Sequence, residues 1–135
     1  MIFGIGTDIV QISRIQNSLD RYGERFARRI LGGEELVDFQ RTLHPARFLA
    51  RRFAAKEAVV KAYGTGFTQG ITFQDIVVSH DAAGKPLLVL SGRALELQQE
   101  MGIGEKFISL SDEREYAVAF VTLLKAGRRM EYPRA

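Results

Sequence analysis

The sequence contains no cysteine. Disulfides, thiolate zinc sites and cysteine nucleophiles are therefore excluded, and a reducing compartment such as the cytoplasm suits the chain. No apolar run reaches the roughly 18–20 residues that a membrane span requires. The longest candidate, YAVAFVTLL at 116–124, has the length of a strand. The N-terminus lacks a basic segment followed by a long apolar stretch, so no secretory signal is expected. Repeats and low-complexity segments are missing too. There are only two histidines, His44 and His80. Both fall in expected loops, and nothing orients them as a catalytic pair.

What is present is a chain of 135 residues, 46% hydrophobic. That is large and apolar enough for one core without staples, so one domain is expected over 1–125, followed by a polar tail at 126–135. The net charge of +3 is unevenly placed. Residues 1–52 hold nine Arg and no Lys against six acids, while residues 53–135 balance ten against ten. Arg is the better fork for carboxylates and phosphates, so that region is expected to face an anionic partner unless it is simply a solvated basic face.

MIFGIG (1–6) alternates apolar and small residues and suits a strand. From 7 to 23 the period changes: Ile9, Ile12, Ile15 and Leu19 recur at three or four, which predicts a helix capped by Thr7 or Asp8 and ended by Gly23. Short helices are expected at 24–31 and 34–42, and Pro45 opens a long one at 46–63. Beyond Gly64-Thr65-Gly66 the β-branched alternation of 71–79 predicts a strand. It forms a hairpin with 87–92 through the turn HDAAGKP. RALELQQEMG (93–102) is predicted as an amphipathic helix with Leu95 and Met101 facing in. Two more strands, 105–111 and 116–124, complete the pattern. Helices first and an antiparallel sheet later define an α+β class.

The segment FAAKEAVVKAYGTG (53–66) carries the sharpest question. Apolar or Ala side chains point in nearly every direction, so the helix is buried on most sides. Yet it includes Lys56, Glu57 and Lys61. Glu57 and Lys61, four apart, lie on one face and can form an ordinary intrahelical ion pair. Alternatively, a carboxylate in a dry setting takes a metal ion, and Lys61 beside it takes a phosphate. Gly64-Thr65-Gly66 either terminates the helix or offers backbone N–H groups to an anion. Asp8, after the small residues GIGT, is either a helix cap or a second hard oxygen ligand. Mg²⁺ commonly takes one or two protein carboxylates and fills its other places with water and phosphate. Arg14 and Arg21 are seven apart, and Arg25 and Arg29 four apart, with Phe26 among them. This cluster suits a docking face for an acidic protein helix, with nucleic acid as the rival partner.

Taken together, GIGTDIVQISRI (4–15), RFAAKEAVVKAYGTG (52–66), GKP (84–86) and YAVA (116–119) resemble the holo-acyl-carrier-protein synthase family, the small stand-alone class of 4′-phosphopantetheinyl transferases. The resemblance runs from about residue 2 to about residue 124 with the motifs in the family's order. Each motif alone is weak, and the set is specific.

The resemblance implies a Mg²⁺-dependent transfer of the phosphopantetheine arm of coenzyme A to a serine of apo acyl carrier protein, releasing adenosine 3′,5′-bisphosphate, in fatty acid biosynthesis. It implies a homotrimer with coenzyme A between subunits, and neither a nucleic-acid nor a membrane partner. The family's metal-binding carboxylates fall on Asp8 and Glu57, and its lysine near the pyrophosphate on Lys61. Arg52 falls where a nucleotide phosphate is held. The Gly64-Thr65-Gly66 turn, Lys85 and Pro86 fall near the co-substrate. The carrier-protein face falls on Arg14, Arg21, Arg25, Phe26 and Arg29. In one respect the chain departs from the family pattern: many members have His where this chain has Asp112. No role of that His carries over, and Asp112 is expected to shape the turn or to order a neighbouring Arg.

Overall fold

The computed structural model describes residues 1–127. Residues 128–135, most of the expected tail, lie outside the described residues.

Strand β1 (Ile2–Gln11) is longer than the sequence pattern suggests. Thr7 and Asp8 therefore lie inside a strand rather than at a helix start. The cap of α1 (Ile12–Tyr22) is Gln11, which makes no side-chain capping bond. The strand persists because β5 (Tyr116–Lys125) pairs with it antiparallel along its length, from Ile2↔Leu124 to Gln11↔Tyr116. Ile9, which sets the apparent helical period in the sequence, points out of the sheet and is 63% exposed. Gly23 ends α1 as expected, at positive φ, and donates its N–H to the Leu19 carbonyl.

Helices α2 (Glu24–Ile30) and α3 (Gly33–Arg41) follow, then α4 (Pro45–Tyr63), with Pro in its first turn and left-handed Gly64 at its end. The predicted strand at 71–79 divides into a 3₁₀ turn (Phe73–Asp75) and β2 (Ile76–His80). The division falls where the Asp75 carboxylate accepts the Thr72 N–H at 3.1 Å and closes the turn. Strand β3 (Pro86–Leu90) completes the expected hairpin. In α5 (Gly92–Glu100), Ala94 and Leu97 face inward, while Leu95 is exposed, against expectation. Strand β4 (Ile103–Asp112) pairs with β5, giving a three-stranded sheet of order β1-β5-β4 beside the two-stranded β2-β3.

Helix α4 is the centre of this α+β architecture, packed against the three-stranded sheet, with α1, α2, α3 and β2 around it. Its close seat on β1 depends on two glycines. A Cβ on Gly4 would lie 2.0 Å from the Ala62 carbonyl oxygen, and one on Gly6 would lie 1.9 Å from that of Ala58. Two strand residues advance roughly 6.6 Å and four helix residues about 6 Å, so alternate glycines match successive turns. The opposite face of the sheet is apolar and uncovered: Ile5, Ile9, Phe107 and Phe120 are all exposed. No helix among the described residues is long and apolar enough to cross a membrane.

Candidate active site

In β1, inward residues alternate as Gly6, Asp8 and Val10, so the pleat that brings the strand onto α4 also turns Asp8 toward the helix. Lys61 reaches it. Its Nζ lies 2.8 Å from Asp8 Oδ1 and 3.1 Å from the Thr7 carbonyl oxygen. The intrahelical pair open to Lys61 in the sequence, with Glu57, does not form. Glu57 has no hydrogen-bond or ion-pair partner among the described residues. Its carboxyl is held above the usual range, first by burial and then by the Asp8 charge, while Lys61 opposes both.

Two carboxylates in mutual repulsion beside one ammonium form a hard, all-oxygen donor pair. No third Asp, Glu, His or Cys among the described residues joins them as a metal-binding group. That donor set fits Mg²⁺, whose remaining places are commonly filled by water and phosphate.

Asp8 also opens into a cleft of about 440 Å³ lined by Ile9, Val10, Arg14, Phe26 and Phe53, among others. The structure thus brings two members of the Arg-and-aromatic cluster, Arg14 and Phe26, to the same opening as Asp8. Phe26 is half-buried against the core rather than exposed. Arg21, Arg25 and Arg29 stay on the surface of α1 and α2, with the Arg21 guanidinium over the Tyr22 ring at 5.4 Å.

The N–H groups of Gly64, Thr65 and Gly66 are not free for an anion. All three point to the Val60 carbonyl at 3.1–3.2 Å, so this turn closes the helix. Lys85 lies in the β2–β3 turn, where the Asp81 carboxylate accepts its N–H at 2.9 Å and its side chain is exposed. Pro86 and Gly84 border a second cleft, of about 320 Å³, with Arg51, Arg52, His80 and Asp112. Burial, followed by the charges of Arg52 and Arg51, holds the His80 imidazole below its ordinary range. Asp112 takes Arg51 at 3.2 Å and Arg47 at 3.4 Å, so it orders neighbouring arginines. The two clefts share no lining residue.

One buried network was not visible in the sequence. Glu35, on α3, is 1% exposed. Its carboxylate accepts Lys56 Nζ at 2.6 Å and the N–H groups of Gly32 and Val78 at 3.0 Å each. Arg52 Nε lies 3.4 Å away without hydrogen-bond alignment, and its guanidinium covers the Phe48 ring. Lys56, 0% exposed, also donates to the Ile30 carbonyl. Burial pushes the Lys56 ammonium down, and Glu35 opposes it. The only trace in the sequence is Arg52 and Lys56 four apart in an apolar helix, which asks for a carboxylate without saying which.

Residues 4–121 match the model of the 4′-phosphopantetheinyl transferase superfamily. The chain is 54% identical over 123 residues to the holo-[acyl-carrier-protein] synthase of Vibrio cholerae, covering 91% of this chain and 98% of that one. Its fold is similar to the crystal structure of the synthase from Neisseria meningitidis, with a TM-score of 0.87, 46% identity, and 93% of this chain and 100% of the other covered. It is also similar to the synthase from Bacillus anthracis in complex with coenzyme A (3′,5′-ADP). There the TM-score is 0.76 and the identity 38%, covering 91% and 96% of the two chains.

Proposed function

The chain belongs to the 4′-phosphopantetheinyl transferase superfamily, among the holo-acyl-carrier-protein synthases, and from that premise we propose that it transfers phosphopantetheine from coenzyme A to a serine of apo acyl carrier protein. The serine Oγ attacks the phosphorus that carries the pantetheine arm. The bond from that phosphorus to the bridging oxygen breaks, and adenosine 3′,5′-bisphosphate leaves with the oxygen and its electron pair. The work falls on residues 1–125 as one domain, with 126–135 appended, in the cytoplasm and in the service of fatty acid biosynthesis. A cysteine-free chain suits that compartment.

The observation that carries this reading is the cluster of Asp8, Glu57 and Lys61, with Asp8 opening into a cleft beside it. Phosphoryl transfer is mostly positioning and charge neutralisation. Asp8 and Glu57 are the residues that would hold Mg²⁺. When bound, the ion neutralises pyrophosphate charge and polarises the phosphorus under attack. Lys61 gives a second positive charge on the same phosphates. Glu57, placed beside the reacting phosphate, takes the serine proton as the new bond forms.

Arg14, Arg21, Arg25, Phe26 and Arg29 form the surface that receives the acidic carrier protein, with charge steering the encounter. Arg52, Lys85 and Pro86 take the nucleotide end of coenzyme A, with Gly64-Thr65-Gly66 shaping the end of the wall that α4 provides. Within one chain the nucleotide cleft and the Asp8 cleft are separate. The exposed Ile5, Ile9, Phe107 and Phe120 form an apolar face of the kind that self-association covers. Both features support a homotrimer in which a site is completed by the neighbouring subunit.

The test is the mass of apo acyl carrier protein after incubation with this protein, coenzyme A and Mg²⁺. A gain of one phosphopantetheine arm, lost on chelation, is expected. No gain across several carrier proteins would refute the reading.

A further inference from the structure

Lys61 reaches from α4 across to β1 on an exposed stem. Its side chain is 51% exposed, while that of Asp8 is 14% exposed. The ammonium therefore covers the open side of a half-buried carboxylate and adds a bond to the Thr7 carbonyl. The other flanking carboxylate, Glu57, is left without a hydrogen-bond or ion-pair partner among the described residues.

A divalent cation arriving at Asp8 meets this ammonium first. Two positive groups cannot share the same carboxylate oxygen without strong repulsion. Lys has a long flexible stem and three rotatable donors, so its ammonium can leave Asp8 for another anion without moving the backbone. An anion that binds beside Asp8 gives it somewhere to go.

We propose that Lys61 is a transferable counter-ion: it occupies Asp8 in the free protein and passes to the coenzyme A pyrophosphate, so that divalent cation and coenzyme A bind with positive coupling. This deepens the proposed function and rests on its metal assignment. Coupling of this kind is reciprocal: whatever factor coenzyme A adds to cation affinity, the cation adds to coenzyme A affinity.

The test measures Mn²⁺ binding to the full chain by paramagnetic resonance, without carrier protein, with and without coenzyme A. The variants are Lys61→Met, Lys61→Gln, Lys61→Arg and Asp8→Asn. Without coenzyme A, Lys61→Met and Lys61→Gln bind Mn²⁺ about fivefold tighter than the parent, and Lys61→Arg matches the parent. Coenzyme A tightens Mn²⁺ in each, because its phosphates add ligands. The gain in the parent exceeds that in Lys61→Met by the same roughly fivefold factor.

Equal or weaker Mn²⁺ binding by both neutral variants, or an equal gain from coenzyme A, overturns the proposal. If Asp8→Asn weakens Mn²⁺ while the neutral Lys61 variants do not tighten it, the metal assignment stands and only the counter-ion role fails. If Asp8→Asn leaves Mn²⁺ binding unchanged, both fall.

Discussion

Glu35 packs against α4 and Glu57 belongs to it, and the fold treats the two carboxylates in opposite ways. Glu35 accepts Lys56 and two backbone N–H groups, with Arg52 beside it, and is sealed at 1% exposure. Glu57 has no hydrogen-bonded or ionic partner among the described residues, lies half-buried, and is pushed toward its protonated form by burial and by Asp8. Successive residues turn by roughly 100° around a helix, so Lys56 and Glu57 begin two different faces. One face carries Arg52 and Lys56 into the Glu35 network, and the other carries Glu57 and Lys61 to Asp8. A buried charge with filled lone pairs holds elements together. A carboxylate left without a partner beside another is available to a ligand.

The largest effect that can break this contrast is on transfer. Asp8→Asn and Glu57→Gln should each reduce phosphopantetheine transfer by about 10²- to 10³-fold, read by the mass of the carrier protein, while circular dichroism stays that of a folded chain. Near-normal turnover in both would remove the chemical face. Next comes the structural face. Glu35→Gln leaves Lys56 and Arg52 buried without a counter-charge and should cost about 3–5 kcal/mol of stability, measured by denaturant unfolding. A loss within error would mean that the network is not a structural anchor. Gly6→Ala tests how the two faces are seated. Its Cβ would meet the Ala58 carbonyl oxygen at 1.9 Å, so strand and helix must separate at about 1–3 kcal/mol, carrying Asp8 away from Lys61. Transfer should fall more than stability alone accounts for. The smallest effect is on the carrier-protein face. Arg14→Glu should raise the KM for carrier protein about tenfold and leave that for coenzyme A nearly unchanged, since a rim charge acts mainly on encounter. Equal changes in both would remove the docking surface.

Much of the frame was legible because local patterns and tertiary packing agree. Pro45 and Gly64 bracket α4 in the sequence as they do in the fold, and Gly23 stops α1. The small residues GIGT, read as part of a strand, let β1 lie close against α4 at Ala58 and Ala62. Where the sequence misleads, a long-range partner decides. Ile9 joins Ile12, Ile15 and Leu19 in a helical period, but β5 claims residues 2–11 as a strand and turns Ile9 outward. Glu35 reads as one of two acids at the start of a surface helix. Only the return of the chain at Lys56 and Val78, 21 and 43 residues away, makes it a buried hub. The donors of Gly64-Thr65-Gly66 looked free because local sequence does not show that the Val60 carbonyl consumes them. By helical spacing Lys61 pairs with Glu57; its 2.8 Å contact with Asp8 instead depends on two glycines that matter only once the helix lies on the strand.

The most direct test of the two-faced helix is the melting temperature of Glu57→Gln and of Glu35→Gln, without metal, between pH 4 and pH 7. The folded state holds the Glu57 proton more tightly than the unfolded chain, so the parent loses that increment of stability as pH rises past about 4.3. Glu57→Gln does not ionise. It should therefore melt above the parent at pH 7, with the difference shrinking toward pH 4, while Glu35→Gln melts well below the parent at pH 7. A Glu57→Gln variant that melts below the parent at pH 7, as Glu35→Gln does, would contradict the account, because both carboxylates would then be structural.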